Sequence, residues 1–96
     1  MKESDFQSRF IQKLHVMFEC IITKNDAGYL QGIPDLSVLC NGKYALLECK
    51  DSSTAKHRPN QDYYVNWVNA NNGFAAFVYP ENEDEIITQL QDYFDT

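Results

Sequence analysis

No apolar run in the chain approaches the ~20 residues that span a bilayer, so a membrane-spanning helix is excluded. The first ten residues, Met1 to Phe10, are polar and helical in pattern, so no signal peptide and a cytoplasmic location are expected. Cysteine is scarce: Cys20, Cys40 and Cys49 are odd in number and lack metal-ligand spacing. Each lies in an apolar stretch and reads as a small buried hydrophobe, which argues against a zinc site. No repeat, low-complexity segment or linker interrupts the chain. Residues 81–96 lack Lys and Arg altogether but carry six acids, whereas acids and bases balance in residues 1–80. The net charge of −6 therefore sits in the last element, and it neither supports nor excludes a nucleic-acid partner.

At 96 residues the chain is one domain, near the lower end of what builds a self-sufficient core, so a partner subunit would help. Ser4 and Gln7 make a capping box that opens a helix running to about Phe18. Phe6, Phe10, Ile11, Leu14, Met17 and Phe18 share an arc of roughly 140°, and Glu3 and Gln7 project into its middle. A carboxylate aimed at a core is costly unless it is paired or metal-bound. Glu19–Lys24 reads as a strand and Asn25–Pro34 as a loop. Leu36–Cys40 and Lys43–Lys50 are strands joined by Asn41-Gly42, the preferred pair for a tight type I′ hairpin. After the polar loop Asp51–Arg58, a second helix covers about Asn60–Asn72, with Gly73 at C′. Phe74–Tyr79 is an apolar strand ended by Pro80. Asn82 and Glu85 form a second capping box before a final helix bearing Ile86, Ile87, Leu90, Tyr93 and Phe94 on one face. The order αβββαβα implies an α/β domain with a mixed sheet.

The hairpin also carries the chemistry. Strand side chains alternate, so Glu48 and Lys50 share a face. Crossing the tight turn brings Asp35, at the start of one strand, beside Glu48 and Lys50 at the end of the other. Two convergent carboxylates suit a hard divalent cation such as Mg²⁺, and the Cys49 carbonyl between them offers another oxygen. Such a cation polarises a phosphodiester and acidifies bound water, with Lys50 placed to orient that water and offset charge on phosphorus. The plainer reading makes Asp35 a turn residue and Glu48–Lys50 an edge-strand ion pair. An acid and a base placed directly after the apolar run Tyr44–Leu47 speak against it.

The run Gly32-Ile33-Pro34-Asp35-Leu36, followed by Leu47-Glu48-Cys49-Lys50, resembles the signature of the PD-(D/E)XK nuclease superfamily. Glu3 and Gln7 four apart in the first helix, and Gln61 opening the second, bring the likeness closest to stand-alone virus-type replication-repair nuclease (VRR-NUC) domains. The resemblance covers most of the chain and implies a single restriction-endonuclease-like domain with an αβββαβ core. It implies hydrolysis of DNA phosphodiesters with Mg²⁺ or Mn²⁺, with Asp35 and Glu48 as metal ligands and Lys50 as the catalytic lysine. Glu3 would complete the acidic cluster, directly or through water. Gln61 would position the lysine, the metal shell or a phosphate, or else is an ordinary first-turn residue. The likeness further implies a phage- or bacterium-encoded homodimer acting on branched DNA such as Holliday junctions. A flap or single-strand nuclease of the same family is the near alternative. A nuclease fold retained as a non-catalytic DNA- or protein-binding module is the rival from another class.

Lys56, His57 and Arg58 are the one basic cluster; they hold a phosphate near the metal or form a solvated loop. His15, at the edge of the first helix's apolar face, reads as structural. The apolar and aromatic residues of the second helix spread over roughly 220°, more than one core face needs. A dimer interface accounts for the surplus better than stacking on bases does, because the helix has no Lys or Arg. The acidic last helix should be a solvated surface facing away from DNA.

Overall fold

A computed structural model describes residues Met1–Thr96. The elements are α1 (Glu3–Met17), β1 (Ile21–Lys24), β2 (Leu36–Cys40), β3 (Lys43–Cys49), α2 (Gln61–Ala70), β4 (Phe74–Val78) and α3 (Glu83–Asp95). They make an α/β domain around one mixed sheet in the order β1-β2-β3-β4, with β1/β2 and β2/β3 antiparallel and β3/β4 parallel. No helix is long and apolar enough to cross a membrane.

The β2–β3 turn forms as its dipeptide dictates. Asn41 and Gly42 have φ of 54° and 75°, the two positive values that a type I′ turn requires. Its register, Leu36 opposite Leu47 through Cys40 opposite Lys43, turns Leu36, Val38, Ala45, Leu47 and Cys49 to one face. There they meet Phe6, Phe10 and Leu14 of α1 and Ile86, Ile87, Leu90 and Phe94 of α3 in the main core. Each buried Phe, Leu, Ile or Val side chain there stabilises the fold by ~1.5–3 kcal/mol relative to exposure. On the opposite face α2 lays Val65 and Val68 against Ala75, flanked by Leu46 and Phe77. The sheet is thus sandwiched between α1 and α3 on one side and α2 on the other, and Glu48 and Lys50 belong to the α2 side.

Several local expectations are corrected. Neither capping box forms: α1 begins at Glu3 with Lys2 as N-cap and no side-chain cap bond. Asn82 does occupy the N-cap of α3, but its side chain serves the preceding strand instead. It accepts from Tyr79 N–H at 2.9 Å and donates to the Phe77 carbonyl at 3.0 Å. Gly73 is not the left-handed residue that ends α2. Asn72 is, with φ of 68°, and Gly73 N–H closes back on the Val68 carbonyl at 3.0 Å. Glycine is needed at 73 because a Cβ there would lie 2.7 Å from Val68 Cγ1. Glu3 and Gln7 do not point into the core: Glu3 is exposed and Gln7 half-buried. Met17 and His15 are exposed too, since the first helix buries only Phe6, Phe10 and Leu14 fully. The acidic end is not all solvated surface: Glu83 is buried, 2.9 Å from Lys13 and 3.6 Å from Arg9.

Candidate active site

Extending the β2–β3 register by one residue puts Asp35 opposite Glu48. The two carboxylates are fixed reciprocally: Asp35 N–H donates to Glu48 Oε1 at 3.1 Å, and Cys49 N–H donates to Asp35 Oδ2 at 3.0 Å. Asn25 braces this end of β2. Its N–H donates to the Asp35 carbonyl at 2.7 Å, and its side-chain amide donates to the Pro34 carbonyl at 2.9 Å and to Ser37 Oγ at 3.0 Å. Lys50 leaves β3 with its N–H bonded to the Val78 carbonyl at 2.8 Å. Its Nζ, almost wholly buried, lies 3.8 Å from Glu48 Oε2 and donates to the Lys56 carbonyl at 3.2 Å. Asp35, Glu48 and Lys50 thus converge in space, the first from the start of β2 and the other two from the end of β3.

They floor a cleft of about 350 Å³ whose other lining includes Glu3, Gly28, Gln31, Gly32, Arg58 and Gln61. Glu3 reaches the cleft from α1 but has no hydrogen bond to Asp35 or Glu48, and no trio of His, Cys, Asp or Glu side chains forms a cation-holding group. Gln61 is buried at the start of α2, and its Oε1 accepts the Arg58 N–H at 2.8 Å. It therefore shapes the loop that presents Arg58. The basic cluster is split by the fold. Arg58 lines the cleft, while Lys56 lends its carbonyl to Lys50. His57 turns to Asp62, 2.8 Å away, and stacks on Phe77 at a centroid distance of 3.9 Å.

The wall made by residues 27–33 carries no chemical signature and reads in the sequence only as part of a turn-rich loop. Gly32 has φ of 90° and sits so close to the α2 entry that a Cβ would be 2.7 Å from the Pro59 carbonyl oxygen. Asn60, itself left-handed at φ of 70°, completes that contact. The only advance signal was the Gly-Ile-Pro-Asp order, which places a permissive residue three before the acid.

Electrostatically the floor is short of positive charge, with two acids facing one buried lysine. Burial first, and the Asp35 carboxylate second, push Glu48 up to about 8, with Lys50 opposing. Glu3 is also raised, by partial desolvation and then by Asp35, with Lys50 and Arg58 opposing. A carboxyl whose folded pKa is raised contributes stability that is complete below its unfolded value near 4.5 and lost as pH climbs through about 8. In EDTA, wild-type stability should therefore fall from pH 5 to pH 9 relative to Glu48→Gln, whose neutral amide removes the titration. Denaturant unfolding of both proteins across that range checks this; parallel pH profiles would refute it.

A second cleft, of about 290 Å³, adjoins the first through Ile33 and is wholly apolar, lined by Tyr44, Leu46, Tyr63, Tyr64, Trp67 and Val68. Tyr63 and Trp67 are 61% and 51% exposed, so the surplus of α2 is unburied in the single chain. Compared with known proteins, the chain matches no family model and no curated protein.

Proposed function

We propose that the chain is a divalent-metal-dependent DNA endonuclease with a restriction-endonuclease-like fold of the PD-(D/E)XK kind, and that it acts on branched DNA as a homodimer. The observation that carries this reading is the convergence of half-buried Asp35 with buried Glu48 and Lys50 at one cleft, two acids against one base. An acid pair held this way costs free energy in the metal-free chain, and a purely structural ion pair has no use for the second carboxylate.

The donor set fits Mg²⁺ or Mn²⁺. The facing groups are all oxygen, and backbone hydrogen bonds occupy only Asp35 Oδ2 and Glu48 Oε1. Asp35 and Glu48 would hold the ion, with the Cys49 carbonyl as a further oxygen and Glu3 acting through water. When bound, the ion supplies Lewis-acid polarisation of the scissile phosphate and a more acidic water. Lys50 Nζ, confined between Glu48 and the Lys56 carbonyl, donates to the attacking water or to the phosphate oxygens as negative charge builds there. Gln61 sets the Arg58 backbone, and Arg58 at the rim takes a neighbouring phosphate.

Charge distribution reconciles DNA with a net charge of −6. Arg9 and Lys13 are neutralised by Glu83 and Asp84, and Lys43 is held by carbonyls of Tyr93 and Thr96. The cations held neither by an acid nor by those carbonyls are Lys2, Lys24, Lys56 and Arg58. Arg58 lines the cleft; Lys2 precedes the lining residue Glu3, Lys24 precedes Asn25, which is bonded to Asp35, and Lys56 is on the β3–α2 loop that carries Arg58. Phosphate attraction is thereby concentrated where the acids need a counter-field. The unburied aromatic strip of α2, neighbouring the cleft, supplies the homodimer surface.

The test is cleavage of a labelled four-way junction beside linear duplex and single strand, in Mg²⁺ or Mn²⁺, by wild type and Glu48→Ala. Junction cutting that disappears in the variant, together with its Mn²⁺ binding, is the expected result. Absence of cutting on every substrate by folded wild type would overturn the nuclease reading and leave a binding module.

A further inference from the structure

Cys20 and Cys40 belong to the sheet end opposite the cleft. Ile21 pairs with Leu39, so the register carried one residue further sets Cys20 opposite Cys40. Which kind of pair they form follows from hydrogen bonding at the other end of the same ladder. Asn25 N–H donates to the Asp35 carbonyl, which marks 25–35 as a hydrogen-bonded pair. Pair types alternate along an antiparallel ladder. Counting back through 24–36, 23–37, 22–38 and 21–39 makes 20–40 a non-hydrogen-bonded pair. Such pairs have Cα atoms about 4.5 Å apart and the closer side chains. A disulfide spans Cα separations of roughly 4.4–6.8 Å.

The side chains also share a face. Cys20, Ile22 and Cys40 all pack against the main core beside Val38, as the alternation of both strands requires. Both cysteines are half-buried and line one open cleft of about 570 Å³ between the β1 start and the β2–β3 turn, which gives a small reagent access. The third cysteine, Cys49, is fully buried in the central strand and lies outside that cleft. Burial first, and the neighbouring Cys40 thiol second, raise the Cys20 thiol above its ordinary value.

We infer that Cys20 and Cys40 form a dithiol site that a low-molecular-weight disulfide converts to an intramolecular cross-strand bridge. One thiol, as thiolate, attacks a sulfur of the reagent and expels its other half as a thiol, leaving a mixed disulfide on the protein. The facing thiolate attacks the protein-bound sulfur, closes Cys20–Cys40 and expels the second reagent thiol. The protein pair is oxidised, the reagent disulfide is reduced to two thiols, and both protein protons leave with them. The bridge ties edge strand β1 to β2 and closes a loop holding the whole Asn25–Pro34 wall, so it restricts the unfolded chain and suppresses fraying of the edge.

The test uses the full wild-type chain, oxidised glutathione as the probe, and N-ethylmaleimide labelling after denaturation. The expected product is a chain not cross-linked to another copy, with Cys20 and Cys40 linked and Cys49 alone alkylated, melting several degrees higher until dithiothreitol restores the reduced midpoint. Cys40→Ser should instead stop at a persistent glutathione adduct on Cys20. Three alkylated cysteines after the same exposure, a bridge that includes Cys49, or bridging only between copies would each overturn the inference. None of these readouts depends on cleavage activity or on metal, so the outcome is separable from the nuclease reading.

Discussion

On the nuclease reading proposed above, replacing Lys50 by methionine should lower the single-turnover rate of DNA cleavage by roughly 10²–10³-fold, the usual cost of removing one donor from a developing anion. Methionine keeps most of the stem, so the buried slot between Glu48 and the Lys56 carbonyl stays filled. DNA affinity should hold near the wild-type value, because the free cations Lys2, Lys24, Lys56 and Arg58 are untouched. A second signature separates chemistry from packing. Lys50 opposes the upward shift of Glu48, so its loss raises that carboxyl further. Metal affinity of Lys50→Met should then fall at neutral pH and recover as pH rises, since the ligand must be deprotonated to bind. Rapid-quench cleavage together with Mn²⁺ titrations at two pH values reads both effects. A variant that cuts at the wild-type rate removes Lys50 from the mechanism.

Gly32→Ala should destabilise the fold strongly although it removes no polar group from the cleft. The residue holds φ of 90°, and an added Cβ would stand 2.6 Å from Asn60 Cβ and 2.7 Å from the Pro59 carbonyl oxygen. Left-handed backbone for an L-residue and overpacking against main chain together cost roughly 2–4 kcal/mol. For a domain of this size the melting midpoint should fall by on the order of 10–20 °C. Gly42→Ala is the matched control. It also has positive φ, at 75°, but nothing lies within 4 Å of its Cβ position, so only the conformational part of the loss remains. Equal midpoints for the two variants in differential scanning calorimetry would show that contact between the 27–33 wall and the α2 entry is unimportant.

Legibility followed the range of the forces involved. The hairpin was readable because Asn41-Gly42 and the flanking alternation are consecutive in the chain, and alternation alone puts Glu48 and Lys50 on one face. Asp35 followed from counting across the turn. Ser4 and Asn82 suit a cap by type, and Asn82 does stand at the N-cap of α3, but its amide is drawn to Tyr79 and Phe77 at the end of the preceding strand, and α1 begins one residue before Ser4. The helical wheel places Glu3 and Gln7 inward. Position along α1 decides otherwise: the first turn overhangs the sheet end, where the cleft admits solvent. Three adjacent basic residues looked like one patch, yet the loop turns His57 to Asp62 and Phe77, Arg58 into the cleft, and only the Lys56 carbonyl toward Lys50.

Local order along the chain was enough to determine an αβββαβα succession, the hairpin register and a meeting of Asp35 with Glu48 and Lys50, since each depends on neighbours within one turn or one pleat. Tertiary structure alone decided what that meeting is worth. Packing of the sheet between its helices buries Glu48 and Lys50, half-buries Asp35 beside them and raises Glu48. It also carries Gly32 against Pro59 and Asn60, commits Arg9, Lys13 and Lys43 to the acidic end, and brings Cys20 across from Cys40. These are contacts between residues far apart in sequence. Their energies depend on excluded water and on distances that periodicity does not encode.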